Sequence, residues 1–233
     1  MSRASLLFAG AARALIGAVL GASCTATLPA RASDATDAAE LVTKAQATIT
    51  TFGTSKEFPT FSPALAKARG VLIFPQVLKA GFILGGSGGS GVLLVRDDKT
   101  GNWVGPAFYT MASASLGFQA GASAAEVVMI VNSQKALDSL YSNKVKLGGD
   151  ASVALGPKGV GSGAALNADF IVYATVQGAF AGLSIDGSVL DVRQSLNAGY
   201  YGKKTSPVDV LARRPVSRPE SAALQAAVKK AAT

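Results

Sequence analysis

The sequence predicts an α+β fold: a Gly-rich antiparallel β-sheet, curved or partly closed, with N-terminal helices packed on it and one mid-chain helix. Three observations carry this expectation. Apolar residues make up 49% of the chain and charged residues only 15%, ample material for a packed core. Aromatic residues are scarce at 7% while glycines number 26, which suits close-packed strands and tight turns better than a Leu-rich helical bundle. From Val71 onward, short apolar runs are separated by Gly, Ser, Asp and Asn, the texture of antiparallel strands.

Residues 1–32 read as a secretory signal peptide. Arg3 and Arg13 supply positive charge, and residues 14–22 form an apolar core too short to span a membrane. Two exits compete. Ala30-Arg31-Ala32 before Ser33 fits ordinary cleavage; Gly21-Ala22-Ser23-Cys24 resembles a lipoprotein box, with Gly21 where Leu is usual and Cys24 as the lipidation site. The expectation is export to the periplasm or the outer membrane, lipid-anchored if Cys24 is the exit.

Asp34 to Phe52 carries Ala38, Leu41, Val42, Ala45, Ile49 and Phe52 at three- and four-residue steps, an amphipathic helix ended by Gly53. Ser62-Pro63 offers the start of a short helix that stops at Gly70. Strands are expected at 71–75, 81–86, 91–97, 114–122 and 126–132. Ser133 then caps a helix through Tyr141, with Ala136, Leu137 and Leu140 on one face. Further strands are expected at 146–156, 161–176, 179–185 and 187–192. Pro207, Pro215 and Pro219 break the end into a linker, after which Ser217 and Glu220 offer a capping box for a last Ala-rich helix.

The chain contains no histidine, which removes the commonest general base and metal ligand. Its one cysteine, Cys24, lies in the leader. No disulfide, thiolate or Cys-zinc chemistry is expected in the body. Gly86 to Gly91 satisfies G-x-G-x-x-G but leads into Val92-Leu93-Leu94-Val95, a strand and not the helix a dinucleotide needs; a Gly-rich hairpin is expected there. Gly85 to Gly89 satisfies G-x-S-x-G without a base to serve it. The reading is of a protein that is not an enzyme and takes no cofactor and no metal. Glycines recur at four-residue steps, as at Gly81, Gly85 and Gly89, and so share one strand face. Packing is the first explanation of that strip and a ligand groove the second.

The formal net charge is +8. The segment from Lys203 carries Lys203, Lys204, Arg213, Arg214, Arg218, Lys229 and Lys230 against Asp209 and Glu220, so 205–233 reads as a basic Pro/Ala-rich tail. Such a tail suits an anionic surface or plain solubility.

Residues 68–96 (ARGVLIFPQVLKAGFILGGSGGSGVLLVR), Gly101 to Pro106, 115–137, 147–161, Tyr173, 178–190 and Asn197 to Gly202 match in order and spacing. On these residues the segment from Ala68 to Lys204 resembles the SYLF family of lipid-binding domains, also labelled actin-binding from its fungal members. The resemblance implies a lipid-binding domain at 33–204 that takes anionic phospholipids, phosphoinositides among them. It also implies that the N-terminal amphipathic helix touches the membrane. Lys44, Lys56, Lys67, Arg69 and Lys79 lie in or near that helix and the first strands and are the candidate lipid-binding residues, at about 1 kcal/mol each near an anionic surface. Lys44 is the only Lys or Arg between Ser33 and Phe52, a departure that lowers the selectivity expected for phosphoinositides. The expected partner is a phospholipid membrane surface; nucleic acid is not expected, and export argues against actin. A structural or assembly role in the envelope is the alternative. Trp103 is expected to pack, and Asp150 to satisfy backbone N–H groups in a turn.

Overall fold

The computed structural model describes residues 30–81, 84–116, 121–141, 144–156, 167–178, 185, 187–212 and 218–233. Helices α1 (Ala30–Thr54) and α2 (Phe61–Lys67) precede four long strands: β1 (Gly70–Gly81), β2 (Leu84–Arg96), β3 (Trp103–Leu116) and β4 (Gly121–Val131). Then come α3 (Gln134–Tyr141), β5 (Lys144–Lys146), β6 (Val153–Leu155), β7 (Phe170–Gly178) and β8 (Val189–Val192). Helices α4 (Gln194–Tyr201), α5 (Pro207–Leu211) and α6 (Pro219–Ala231) close the chain. The described strands form one curled sheet in the order β5-β8-β3-β2-β1-β4-β7-β6. Neighbours are antiparallel except β6 and β7, which run parallel. The fold is α+β, as the composition predicts.

The sheet is buried on both faces over half its length. Val71 and Ile73 of β1 join Val92, Leu94, Phe108, Val128 and Ile130 on one face, under α1, α2, α4 and α6. Leu72 and Phe74 join Leu93, Tyr109, Val127 and Met129 on the other, under α3 and α5. Successive side chains alternate across the sheet, so near-continuous apolar runs such as 71–74 are what a doubly covered strand requires. On α1, Ala38, Val42, Ala45, Ile49 and Phe52 are all but fully buried. Each side chain of Val, Ile or Phe size stabilises by about 1.5–3 kcal/mol on full burial.

The long strands correct the segmentation that Gly and Pro suggest. β1 runs through Pro75 because the register shifts at that point against both β2 and β4, a bulge that absorbs the missing N–H. The run from Gly86 to Gly91 is not a hairpin; it lies inside β2. Opposite the bulge a Cβ on Gly89 would sit 2.3 Å from the Gln76 carbonyl oxygen, and one on Gly91 2.5 Å from the Phe74 ring. Those two glycines are there because the neighbouring strand leaves no room for a side chain. Strand pairing also extends through 103–113, a stretch without a strand assignment from sequence.

Ser133 caps α3 through its Oγ, which accepts from the Ala136 N–H at 3.0 Å. Asp150 accepts from the Lys146 N–H at 2.8 Å, a turn role. Trp103 is buried in the α1-side core. Helix α2 starts two residues earlier than Ser62-Pro63 suggests, with Thr60 at its N-cap. Helices α4 and α5 were not visible in the pattern. Where the prolines suggested a linker, Ser206 and Asp209 form a reciprocal capping box with Pro207 at the first helical position. Segment 205–233 is no free tail: Val210, Leu211, Leu224, Val228 and Ala231 are buried in the two cores. Arg218 is the N-cap of α6; the expected cap at Ser217, the glycines at 117 and 182, and the leader with Cys24 lie outside the described residues.

Candidate functional site

Helix α1 lies across the sheet at the level of the β1 bulge. Its N-terminal half packs on α4, where a Cβ on Gly199 would stand 2.7 Å from Asp34. Its middle is pinned by the Thr48 hydroxyl, which donates to Glu126 on β4 at 2.7 Å. Along one flank of α1 run two adjoining grooves, of about 400 Å³ and about 300 Å³, that share Lys44, Pro75 and Gln76. The first continues to Ala124, Thr175 and Gln177, and the second to Leu78, Gly88 and Arg193. The bulge makes the floor: by reversing the alternation of β1 it turns Gln76 and Leu78 toward α1 and Val77 toward the opposite core.

Two cations and three carboxylates line the grooves. Lys44 is exposed and reaches Glu40 at 3.2 Å, one helical turn back. Arg193 donates to the Ser90 hydroxyl. Asp37, Glu40 and Glu126 share the lining with these two cations. The site therefore offers apolar contact and hydrogen bonding, with little net field for an anion.

The five cations singled out by sequence do not converge. Lys44 alone lines the grooves. Lys56 stands exposed in the turn after α1, and Lys67 is exposed at the end of α2. Arg69 braces the start of the sheet: it donates to Gln134 Oε1 at 2.9 Å and lies 3.9 Å from Asp98. Lys79, ten residues on, is at the far end of β1, roughly 30 Å away at ordinary strand rise. The alternation after the bulge puts Lys79 on the sheet face away from α1, with Val77. Arg193, Gln76 and Thr175 escaped sequence reading, because only the bulge and the α1 crossing bring them beside Lys44.

Among the described residues, no helix is long and apolar enough to cross a membrane. One polar cluster is structural: the Asp169 carboxylate accepts from the Ser133 hydroxyl at 2.5 Å and from the Ser152 N–H and hydroxyl at 2.9 Å. It ties α3 to the β6–β7 pair.

A family described as "Ysc84: Las17-binding protein actin regulator" matches residues 112–231, which reach through α6. Protein YSC84 of Saccharomyces cerevisiae is 35% identical over 170 residues, covering 70% of this chain and 36% of its own length. LAS seventeen-binding protein 3 of the same yeast is 34% identical with the same coverage. SH3 domain-containing YSC84-like protein 1 of Homo sapiens is 34% identical over 152 residues, 63% of this chain and 44% of its own. The chain thus spans well under half the length of these relatives. No solved structure matches. With the family match covering more than half of the chain, and with the ordered motifs on the strands and helices above, the protein belongs to the Ysc84 family, the SYLF family whose motifs it carries.

Proposed function

We propose that this domain binds phospholipid at the bacterial cell envelope without chemical turnover. The observation that carries the reading is the groove beside α1. Its floor of Pro75, Leu78 and Ala124 is uncharged, and Lys44 and Arg193 stand on its rim. An apolar strip bordered by long cationic side chains is what interfacial contact needs. Because three carboxylates share the groove, its contribution to binding is acyl-chain and glycerol contact more than attraction of charge. A role without turnover is supported by the absence of histidine and by relatives named for binding. The leader supports export, to the periplasm or to an outer-membrane anchor at Cys24, and mass spectrometry of the mature N-terminus separates cleavage after Ala32 from lipidation.

Co-sedimentation of the full chain with vesicles tests the reading. Binding to phosphatidylcholine vesicles, strengthened by phosphatidylglycerol or a phosphoinositide and weakened by salt, is the expected result. Absence of binding to both neutral and anionic vesicles at low salt refutes it. A protein partner is the second reading, favoured by the family's description as an actin regulator; co-sedimentation with filamentous actin in place of vesicles is the result that would establish it.

A further inference from the structure

We infer that the groove beside α1 selects a zwitterionic lipid headgroup, with its phosphate at Arg193 and a primary ammonium at Glu126. The inference rests on the lipid reading above and names the headgroup that the same groove takes. Glu126 and Arg193 are both half-buried and both line the groove. The Glu126 carboxylate accepts from the Thr48 hydroxyl, and the Arg193 guanidinium donates to the Ser90 hydroxyl. Among the described residues neither has an ion-pair partner. The other charges of the lining are already met: Lys44 pairs with Glu40 at 3.2 Å, and Asp37 is exposed to water.

A half-buried charge is costly to leave without its counter-charge. Here one charge of each sign stands unmatched, so a ligand carrying both signs satisfies both, whereas a simple anion would also meet three carboxylates. The register sets the span. Ser90, to which Arg193 is tethered, is in register with Gln76 on β1. Glu126 lies between Ala125 and Val127, which pair on either side of the bulge that holds Pro75 and Gln76. Ser90, Gln76 and Glu126 thus occupy three successive strands, and the ends of the row are two strand spacings apart, roughly 10 Å. A phosphoethanolamine group, phosphorus to nitrogen through one oxygen and two carbons, covers that gap with a hydrogen bond at either end.

The neighbouring row supplies the rest of the lipid contact. Gly88, Leu78 and Ala124 are in register beside the polar row, and Leu78 is 55% exposed. That apolar strip takes the glycerol end while the headgroup lies over Gln76. The lining also chooses between ammonium types. Among the described residues, no aromatic side chain lines either groove, and aromatic faces are what hold a quaternary ammonium. A primary ammonium instead brings three donors. Glu126 offers a carboxylate to them, Gln76 an amide oxygen, and Thr175, in register with Glu126, a hydroxyl. The headgroup is therefore that of phosphatidylethanolamine in preference to phosphatidylcholine.

The test co-sediments the full chain with two vesicle sets that hold the same fraction of phosphatidylglycerol. In one the remainder is phosphatidylcholine; in the other, part of that is replaced by phosphatidylethanolamine. The replacement should raise partition about fivefold. Glu126→Gln, whose amide oxygen still accepts from Thr48, should lose this increment and keep the parent's partition to the first set. Soluble glycerophosphoethanolamine in excess should cancel the increment in the parent, and glycerophosphocholine should not. Equal partition of the parent to both sets overturns the inference and leaves the lipid reading in place. An increment that persists in Glu126→Gln also overturns it, in favour of an effect of bilayer packing. If the variant does not fold, the competition decides: an increment that glycerophosphoethanolamine leaves untouched overturns the inference. No co-sedimentation with either set overturns the lipid reading and this inference together.

Discussion

The side-chain amide of Asn197 grips the backbone of Phe108 from both ends. The Phe108 N–H donates to Asn197 Oδ1 at 3.1 Å, and Asn197 Nδ2 donates back to the Phe108 carbonyl at 3.0 Å. Strand β8 pairs with β3 only as far as Tyr109↔Val192. Beyond that pair the Arg193 N–H still donates to the Phe108 carbonyl at 2.9 Å, and the amide takes up the Phe108 N–H and seats α4 on the sheet. Asn197 is fully buried, and the Phe108 carbonyl keeps the Arg193 N–H at 2.9 Å, so Asn197→Ala would strand the Phe108 N–H away from water, at about 1–3 kcal/mol in urea unfolding. Asn197→Asp should cost more, since its carboxylate would face the Phe108 carbonyl without a donor. Equal midpoints for Asn197→Ala and the parent chain would show that the grip is incidental.

The glycines of β2 differ in what surrounds them. Gly89→Ala and Gly91→Ala place a methyl within 2.3–2.6 Å of the facing strand and should each destabilise by about 1–3 kcal/mol. At Gly86 a Cβ meets only the Ser113 carbonyl oxygen, at 3.5 Å, so Gly86→Ala should fall within about 0.5 kcal/mol of the parent. Thermal unfolding of the three variants side by side checks the ranking. Indistinguishable variants would mean that the bulge is not where the glycines are needed.

Acid should loosen the junction between α3 and the β6–β7 pair. Burial by itself raises the Asp169 carboxyl, but hydrogen bonds from Ser133 and Ser152 and the nearby Lys135 ammonium outweigh it and hold it below the ordinary value of 3.8. A folded value below the unfolded one gives stability that is complete above the unfolded value and disappears as pH falls through the folded one. Asp169→Asn should cost about 1–3 kcal/mol near neutral pH, and its gap from the parent should narrow in acid. A gap that stays constant down to the lowest pH at which both fold would exclude this origin.

Helix α6 belongs to the core. Leu224 and Val228 are fully buried against α1, and Gln225 Nε2 donates to the Gly105 carbonyl at 2.9 Å. Leu224→Ala should cost about 2–5 kcal/mol, and a chain ended at Ala212 should lose its cooperative unfolding transition. Calorimetry distinguishes this from a solvated tail, whose removal would leave the transition in place.

The periodicity of α1, the Ser133 cap and the apolar runs at 71–74, 92–95 and 127–131 determined the α+β class, because each reports a local period or a terminus that the chain settles over a few residues. The ordered motifs on those elements likewise determined the family. Three things waited for the tertiary structure. Pro75 reads as a breaker until two neighbouring strands are seen to shift register around it. Gly86 to Gly91 reads as a turn until the facing backbone is seen to exclude side chains. Cations at 44, 56, 67, 69 and 79 are close in sequence, in or near the first helix and strands, yet the fold puts Lys44 beside Arg193 and Lys79 on the other face. The physical reason is common to all three. Local pattern fixes which face a side chain takes relative to its own neighbours, whereas a bulge reverses that face, and the crossing of a helix chooses its company, through contacts distant in sequence.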